Sequence, residues 1–385
     1  MNHATAEVNN YTELTIGKIR PILDLAYRTR TNVFLLGDPG LGKTETIAEF
    51  ARGLDGATFV TMVASMLDRL DVAGLPYRTD RNTTDFALMS SIADATQELN
   101  PDGPATVFYL NEVNSAPDSV MPSLLRFLNE RAISGYRLRD NVMIIADGNH
   151  ATSSRIAREM PEPAKRRFLW IHLRVDKDEW MAYSAAHQCD SRVTAFVEAH
   201  SSEGVLCDFR LGETRGRTTY ACPASWSRLG ENLPEILASL PDEWSKQAWI
   251  DGQVGAGIGK LFWAFLEHQH KVPNPKEFLR AIMADPEKAS LPQDIDARYM
   301  LIGMVSNLVR EKKDMDDVNG TLRLVQVLLR KGFGEESVYL FRSFTGDKAV
   351  SGLVHKSPEF AATVGEFRNR PELLRAVIDS ALAKK

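Results

Sequence analysis

An α/β fold, with a parallel sheet covered by helices on both faces and an all-helical region after it, is what this sequence predicts. Three observations carry that prediction. In the first half, short apolar runs alternate with segments of helical period, the pattern of parallel strands and their crossover helices. A glycine-rich turn joins the first such run to the first such helix. Beyond about residue 176 the period-two signal ends and helical spacing takes over.

The first strand is expected at residues 31–36, a run apolar on both faces as a doubly covered strand must be. A helix over 43–54 follows, with Ile47, Phe50, Ala51 and Leu54 at helical spacing and Gly53 placed for a left-handed cap. Further strands fit residues 57–63, 105–110, 142–146 and 168–175. Between the third and fourth, Asp118 or Ser119 can cap a helix carrying Val120, Leu124, Leu125 and Leu128, with Pro122 in its first turn, where a missing N–H costs little. Later, residues 178–187, 193–200, 253–268 and 294–310 favour helix, the last placing Ile295, Tyr299, Ile302, Val305 and Val309 on one face. Residues 321–330 are apolar nearly all round, so that helix should be buried. Residues 203–220 read as a loop, and Pro273 with Pro275 marks a boundary.

Composition narrows the classes. The 385 residues suggest two or three domains at about 150 residues each. With 46 basic and 51 acidic residues the net charge is −5, which excludes a globally basic nucleic-acid coat but not a local patch. No apolar run approaches the roughly 18 residues needed to cross a bilayer, no leader pattern opens the sequence, and no membrane association is expected. Cys189, Cys207 and Cys222 cannot build a disulfide framework; they read as small hydrophobes in a reducing cytosol. His268 and His270 lack the spacing of a helical zinc motif, and residues 311–317, mixed in charge, read as a solvated turn.

The strongest motif is Gly37-Asp38-Pro39-Gly40-Leu41-Gly42-Lys43-Thr44, a match to G-x-x-x-x-G-K-[ST] between a strand and a helix. Glycines let backbone amides turn inward around phosphate oxygens, and the helix N-terminus adds a favourable dipole. Lys43 is placed to reach the β- and γ-phosphates and the Thr44 hydroxyl to ligate Mg²⁺. The glycine-rich stretch 252–260 ends in lysine too, but no strand precedes it and Leu261 stands where the hydroxyl should be; it reads as a helix start. The strand over 105–110 runs into Asn111-Glu112. Glu112 would polarise water as general base. Asn111 stands where an aspartate ordinarily helps hold Mg²⁺; its amide oxygen can accept from metal-bound water but adds no charge.

The loop 37–44, the block Leu110-Asn-Glu-Val-Asn-Ser-Ala-Pro117, the segment Asp71-Val-Ala-Gly-Leu-Pro76, the strand end Ile144-Ile-Ala-Asp-Gly-Asn149 and Pro163-Ala-Lys-Arg-Arg167-Phe168 together resemble the MoxR-like branch of AAA+ P-loop ATPases. The resemblance covers roughly residues 15–175 strongly and extends to about 310. It implies an AAA+ nucleotide-binding α/β domain over 1–175, a helical lid over 176–271 and a C-terminal helical region over 272–385. It implies ATP and Mg²⁺, a homo-oligomeric ring such as a hexamer, chaperone-like remodelling of a protein partner, and von Willebrand factor A domain proteins as the partner class.

Residue by residue, the resemblance makes Asn149 a residue that orients the attacking water and Arg167 the arginine finger reaching a neighbouring subunit, with Arg166 as its fallback. Arg155, Arg158 and Lys165 add positive charge nearby. In the lid, Ala224 stands where the family carries arginine; Arg228, four residues on and about one helical turn away, could reach the same region. Residues 65–77 and 133–141, the latter turning at Gly135, would face a pore or a partner. Asn111 and Ala224 argue for slow hydrolysis and keep open a nucleotide-gated scaffold. A nucleic-acid motor is a third reading, disfavoured by the net charge and by the lack of a basic or aromatic stripe.

Overall fold

The computed structural model describes residues 11–150, 158–209, 218–287 and 289–382. The chain divides after Val175 into two compact units. The first contains a six-stranded sheet of β1 (Glu13–Leu14), β2 (Val33–Leu36), β3 (Thr58–Val63), β4 (Thr106–Asn111), β5 (Val142–Gly148) and β6 (Leu169–Leu173). All neighbours are parallel, in the order β1-β6-β2-β5-β4-β3. Its main helices are α1 (Arg20–Thr29), α2 (Lys43–Arg52) and α3 (Met121–Glu130).

Side chains alternate across a strand, so each central strand feeds two cores. Phe34, Phe108, Leu110 and Ile144 join Leu124 and Phe127 of α3 on one face. Val33, Leu35, Val107, Tyr109 and Ile145 join Leu23 of α1 and Ile47 and Phe50 of α2 on the other. This double covering is why β2, β4 and β5 read as unbroken apolar runs. The register aligns the strand ends: Leu36 pairs with Gly148 and Leu110 with Ala146. The turns after β2, β4 and β5 therefore emerge at one edge, the carboxyl ends where ligands bind in open α/β sheets.

Two details differ from expectation. Gly53 is right-handed at φ −78°. Its place is set by Arg20, whose guanidinium lies 2.8 Å from where a Cβ would stand, and the left-handed turn falls at Gly56 instead. The N-cap of α3 is Val120, neither Asp118 nor Ser119, because Pro117 O accepts the Val120 and Met121 amides and delays the helix. The two-residue β1 is too short to leave a pattern in the sequence.

Two antiparallel hairpins branch from the sheet, Leu75–Arg78 with Thr84–Ala87 and Ala132–Ile133 with Tyr136–Arg137, the second turning at Gly135 with φ +96°. They meet: Tyr136 OH donates to Asp85 Oδ1 at 3.2 Å and Ser134 Oγ to Ala73 O at 2.5 Å. Leu75 and Tyr77 of the first hairpin are exposed, and Met66, in the turn after β3, is 81% exposed.

The second unit contains twelve α-helices among the described residues. They are α4 (Lys177–Ala186), α5 (Ser191–Ala199), α6 (Pro223–Ser239), α7 (Glu243–Val254), α8 (Ala256–Glu267) and α9 (Pro275–Ala284). Then follow α10 (Ile295–Lys312), α11 (Met315–Arg330), α12 (Gly334–Thr345), α13 (Lys348–Val354), α14 (Glu359–Arg368) and α15 (Pro371–Leu382). The helix expected over 253–268 is broken at Gly255, whose φ of +87° separates α7 from α8. Gly259 in α8 lies against Asp251, so the glycine-rich stretch is a helix start packed on α7. Residues 311–317 are not one solvated turn: Lys313 ends α10 in the left-handed region, Asp314 caps α11, and Asp317 is 4% exposed. In α10, Tyr299, Ile302, Val305 and Val309 are buried as expected while Ile295 is exposed, and α11 is buried from Thr321 to Leu329 except at half-buried Arg323.

Candidate nucleotide-binding site

After Leu36 the chain turns through residues 37–42 into α2. The Gly37 amide donates to Gly148 O at 3.3 Å, and a Cβ on Gly37 would stand 3.0 Å from Leu173 Cβ. Gly40 and Gly42 adopt φ +78° and +91°, the left-handed region that side chains resist. Gly42 caps α2 with no side-chain hydrogen bond, so the first-turn amides remain open to a ligand.

Lys43 is the centre of the site. It is 7% exposed, and its Nζ donates to Gly37 O at 2.8 Å and Asp38 O at 3.2 Å. Asn149 Oδ1 lies 3.5 Å away and Asp147 Oδ2 3.6 Å away. Burial pulls its pKa below the ordinary lysine value, against the opposing pull of Asp147, Asp38 and Glu112. An ammonium held out of water with one carboxylate at the edge of ion-pair reach is a receptor for a further anion.

The Thr44 hydroxyl lies 3.2 Å from Tyr109 OH and 3.5 Å from Asn111 Nδ2, and Asn111 Nδ2 donates to Tyr109 OH at 3.2 Å. The amide nitrogen of Asn111, not its oxygen, therefore faces Thr44. The expected water-accepting pose requires the amide to turn over. Glu112 is left-handed at φ +54°, and its amide donates to Asp147 Oδ1 at 2.7 Å. Its carboxylate forms no ion pair or hydrogen bond with any described residue and is available to a water. Asn149 is buried, with its carbonyl accepting from Asn114 Nδ2 at 2.6 Å.

One edge of the first unit thus brings together the loop 37–42, Lys43, Thr44, Asn111, Glu112 and Asn149. The other predicted residues lie elsewhere. Arg167 is exposed just before β6, whose first residue Leu169 pairs with Val33, the first residue of β2. It stands at the opposite edge of the sheet from its own phosphate loop. Arg166 is exposed beside it, while Lys165 pairs with Glu159 and Glu162, and Arg158 with Asp118; Arg155 lies outside the described residues. Arg228 belongs to the second unit, exposed on α6 one turn after exposed Ala224. Between them Trp226 is buried, its Nε1 donating to Val205 O at 2.8 Å.

Three site residues escaped sequence reasoning: Asp147, Tyr109 and Asn114. Asp147 carried a signal, being the one acidic residue inside a strand otherwise buried on both faces.

The residues fit a nucleoside triphosphate with a divalent cation: open amides and a desolvated ammonium for phosphate oxygens, and an exposed hydroxyl as a hard oxygen donor. Among the described residues no group of three or more His, Cys, Asp or Glu side chains could hold a metal ion. A cation here would draw its remaining ligands from phosphate and water.

The family described as AAA domain (dynein-related subfamily) matches residues 32–168. Protein MoxR of Methylorubrum extorquens is 28% identical over 226 residues, covering 54% of this chain and 60% of that protein. Protein MoxR of Paracoccus denitrificans is 29% identical over 168 residues, covering 40% of this chain and 45% of that protein. The chain therefore spans about half of each curated relative's length. Among solved structures, a putative ATPase from Cytophaga hutchinsonii shares 17% identity over 77% of this chain and 75% of that one, with a TM-score of 0.30. The Thermotoga maritima RuvB Holliday junction branch migration motor shares 14% over 83% and 87%, with a TM-score of 0.34. No described helix is long and apolar enough to cross a membrane. In its phosphate loop and its strand ends the chain is similar to MoxR-like AAA+ ATPases, and residues 32–168 match an AAA domain of the dynein-related subfamily.

Proposed function

We propose that the chain is an ATPase that binds ATP with Mg²⁺ and works between subunits of a ring, a hexamer, to remodel or activate a protein partner. The observation that carries this reading is the buried ammonium of Lys43 behind the open amides of residues 37–42, held by two backbone carbonyls and Asn149 with its nearest carboxylate 3.6 Å away. Phosphate oxygens fall to those amides and to Lys43, and Thr44 with Asn111 faces the cation. Mg²⁺, when bound, neutralises charge on the phosphates. Glu112 takes a proton from the attacking water, and Asn149 orients that water. Arg167 cannot serve its own loop from the far edge of the sheet, so it is assigned to the next subunit's phosphates, where such a finger is worth about 10³ to 10⁵ in rate. Residues 176–271 act as a lid carrying Arg228, and residues 272–385 form a further helical region. The joined hairpins with exposed Met66, Leu75 and Tyr77 face the partner, for which a von Willebrand factor A domain protein is the first to test.

Specific ATPase activity should rise with protein concentration as subunits assemble. Arg167→Ala should keep ATP binding and assembly while losing most turnover; an assembled, fully active variant ends the trans role.

Neutral Asn111 and exposed Ala224 favour a second reading, a nucleotide-gated scaffold with little hydrolysis. Single-turnover measurement separates the two: bound ATP that outlives many assembly cycles supports the scaffold.

A further inference from the structure

The turn after β4 offers an amide at position 111, so the site lacks a carboxylate there. The structure shows a fixed negative charge one strand away. Asp147, on β5, sits between β2 and β4 in the sheet, pairing in register with Leu35. It is 3% exposed. One carboxylate oxygen accepts the Glu112 amide at 2.7 Å and the other lies 3.6 Å from Lys43 Nζ. The Tyr109 hydroxyl, on β4, lies within hydrogen-bonding reach of the Asp147 carboxylate. The same hydroxyl touches Thr44 Oγ1 and Asn111 Nδ2, each at 3.2 Å. Asp147 thus reaches Lys43 and the Glu112 amide directly, and Thr44 and Asn111 through the Tyr109 hydroxyl.

We propose that Asp147 is a positioning residue that supplies the negative charge Asn111 lacks, holding Lys43 and Glu112 in place and making the site prefer a nucleotide neutralised by Mg²⁺. This rests on the nucleotide-binding reading above. The physical reason is electrostatic: a buried carboxylate beside the lysine repels a bare triphosphate and tolerates one whose charge a divalent cation has cancelled. A purely structural role, accepting the Glu112 amide to stabilise its left-handed turn, needs only an oxygen. Asp147→Asn keeps that oxygen and removes the charge.

The test is calorimetric binding of ATP to the full chain, with Mg²⁺ and with EDTA, at constant ionic strength. The unmodified chain should bind Mg²⁺–ATP more tightly than free ATP by about tenfold or more. Asp147→Asn should bring the two affinities within about twofold of each other, mainly by tightening free ATP, at little change in melting temperature. The double variant Asn111→Asp with Asp147→Asn should restore most of the preference by returning the charge to β4. If Asp147→Asn keeps the full preference, or the double variant binds free ATP and Mg²⁺–ATP alike, the proposal is overturned. Should Asp147→Asn fail to fold, Asn111→Asp alone decides: a second negative charge beside Lys43 should widen the preference for Mg²⁺–ATP, and an unchanged preference overturns the proposal. An unmodified chain that binds no ATP in either buffer overturns the nucleotide-binding reading itself, an outcome separate from both.

Discussion

Two buried ion pairs in this chain are built from similar groups and differ in completeness. In the second unit, Asp190 precedes α5 and is 5% exposed. Its Oδ1 accepts from the Arg192 amide at 2.8 Å, Arg192 Nε at 3.0 Å and Asn307 Nδ2 at 2.8 Å, while Oδ2 accepts from Arg192 Nη2 at 2.7 Å. In the first unit, Lys43 has backbone carbonyls close by but its carboxylate partner 3.6 Å away. Burial opposes charge in both. At Asp190 the bonds from Arg192 and Asn307 overcome it and hold the carboxyl below its usual range. At Lys43 burial prevails and the ammonium is pulled down. The closed pair is a structural staple joining α5 to α10; the open pair is a place for a ligand.

This contrast can be broken by experiment. The largest effect is expected at the closed pair. Asp190→Ala leaves Arg192 buried without its partner and should lower stability by about 3 to 5 kcal/mol in urea unfolding. A loss under 1 kcal/mol would mean that the pair is not a staple. Lys43→Met should weaken ATP binding by about 100-fold or more in calorimetry while leaving melting temperature unchanged or higher, since a desolvated charge is removed. Equal loss of folding and binding would erase the distinction. Gly42→Ala should cost about 1 to 3 kcal/mol through strain at φ +91°. No Cβ clash accompanies it, so a larger loss would point to another cause.

The smallest expected effect is the pH dependence of the staple. Because the folded carboxyl of Asp190 is depressed, its contribution is fully present above the unfolded value near 3.9 and is lost as pH falls through the lower folded value. Unfolding midpoints from pH 7 to pH 3 should therefore fall less steeply in Asp190→Asn than in the unmodified chain. Parallel curves would contradict this assignment.

The phosphate loop was legible because its chemistry is local: three glycines, a lysine and a hydroxyl at set spacing, between a strand and a helix. The central strands were legible for a related reason, since burial on both faces demands an apolar residue at every position. Helix ends were read less well. The Val120 cap depends on where Pro117 turns the backbone, and the break at Gly255 depends on a positive φ that glycine permits but does not require. Gly53 does cap α2 but without the left-handed turn; the space beside it is taken by Arg20, 33 positions earlier in the sequence.

The sequence by itself determined that a strand, a phosphate-gripping turn and a helix follow one another, since each depends on neighbours a few residues apart. Only the tertiary structure decided that Asp147 faces Lys43, that the Asn111 amide nitrogen points at Thr44, and that Arg167 lies at the far edge from its own loop. Those facts depend on strand order and register, which bring together residues about 100 apart and give each buried charge the neighbours that set its strength.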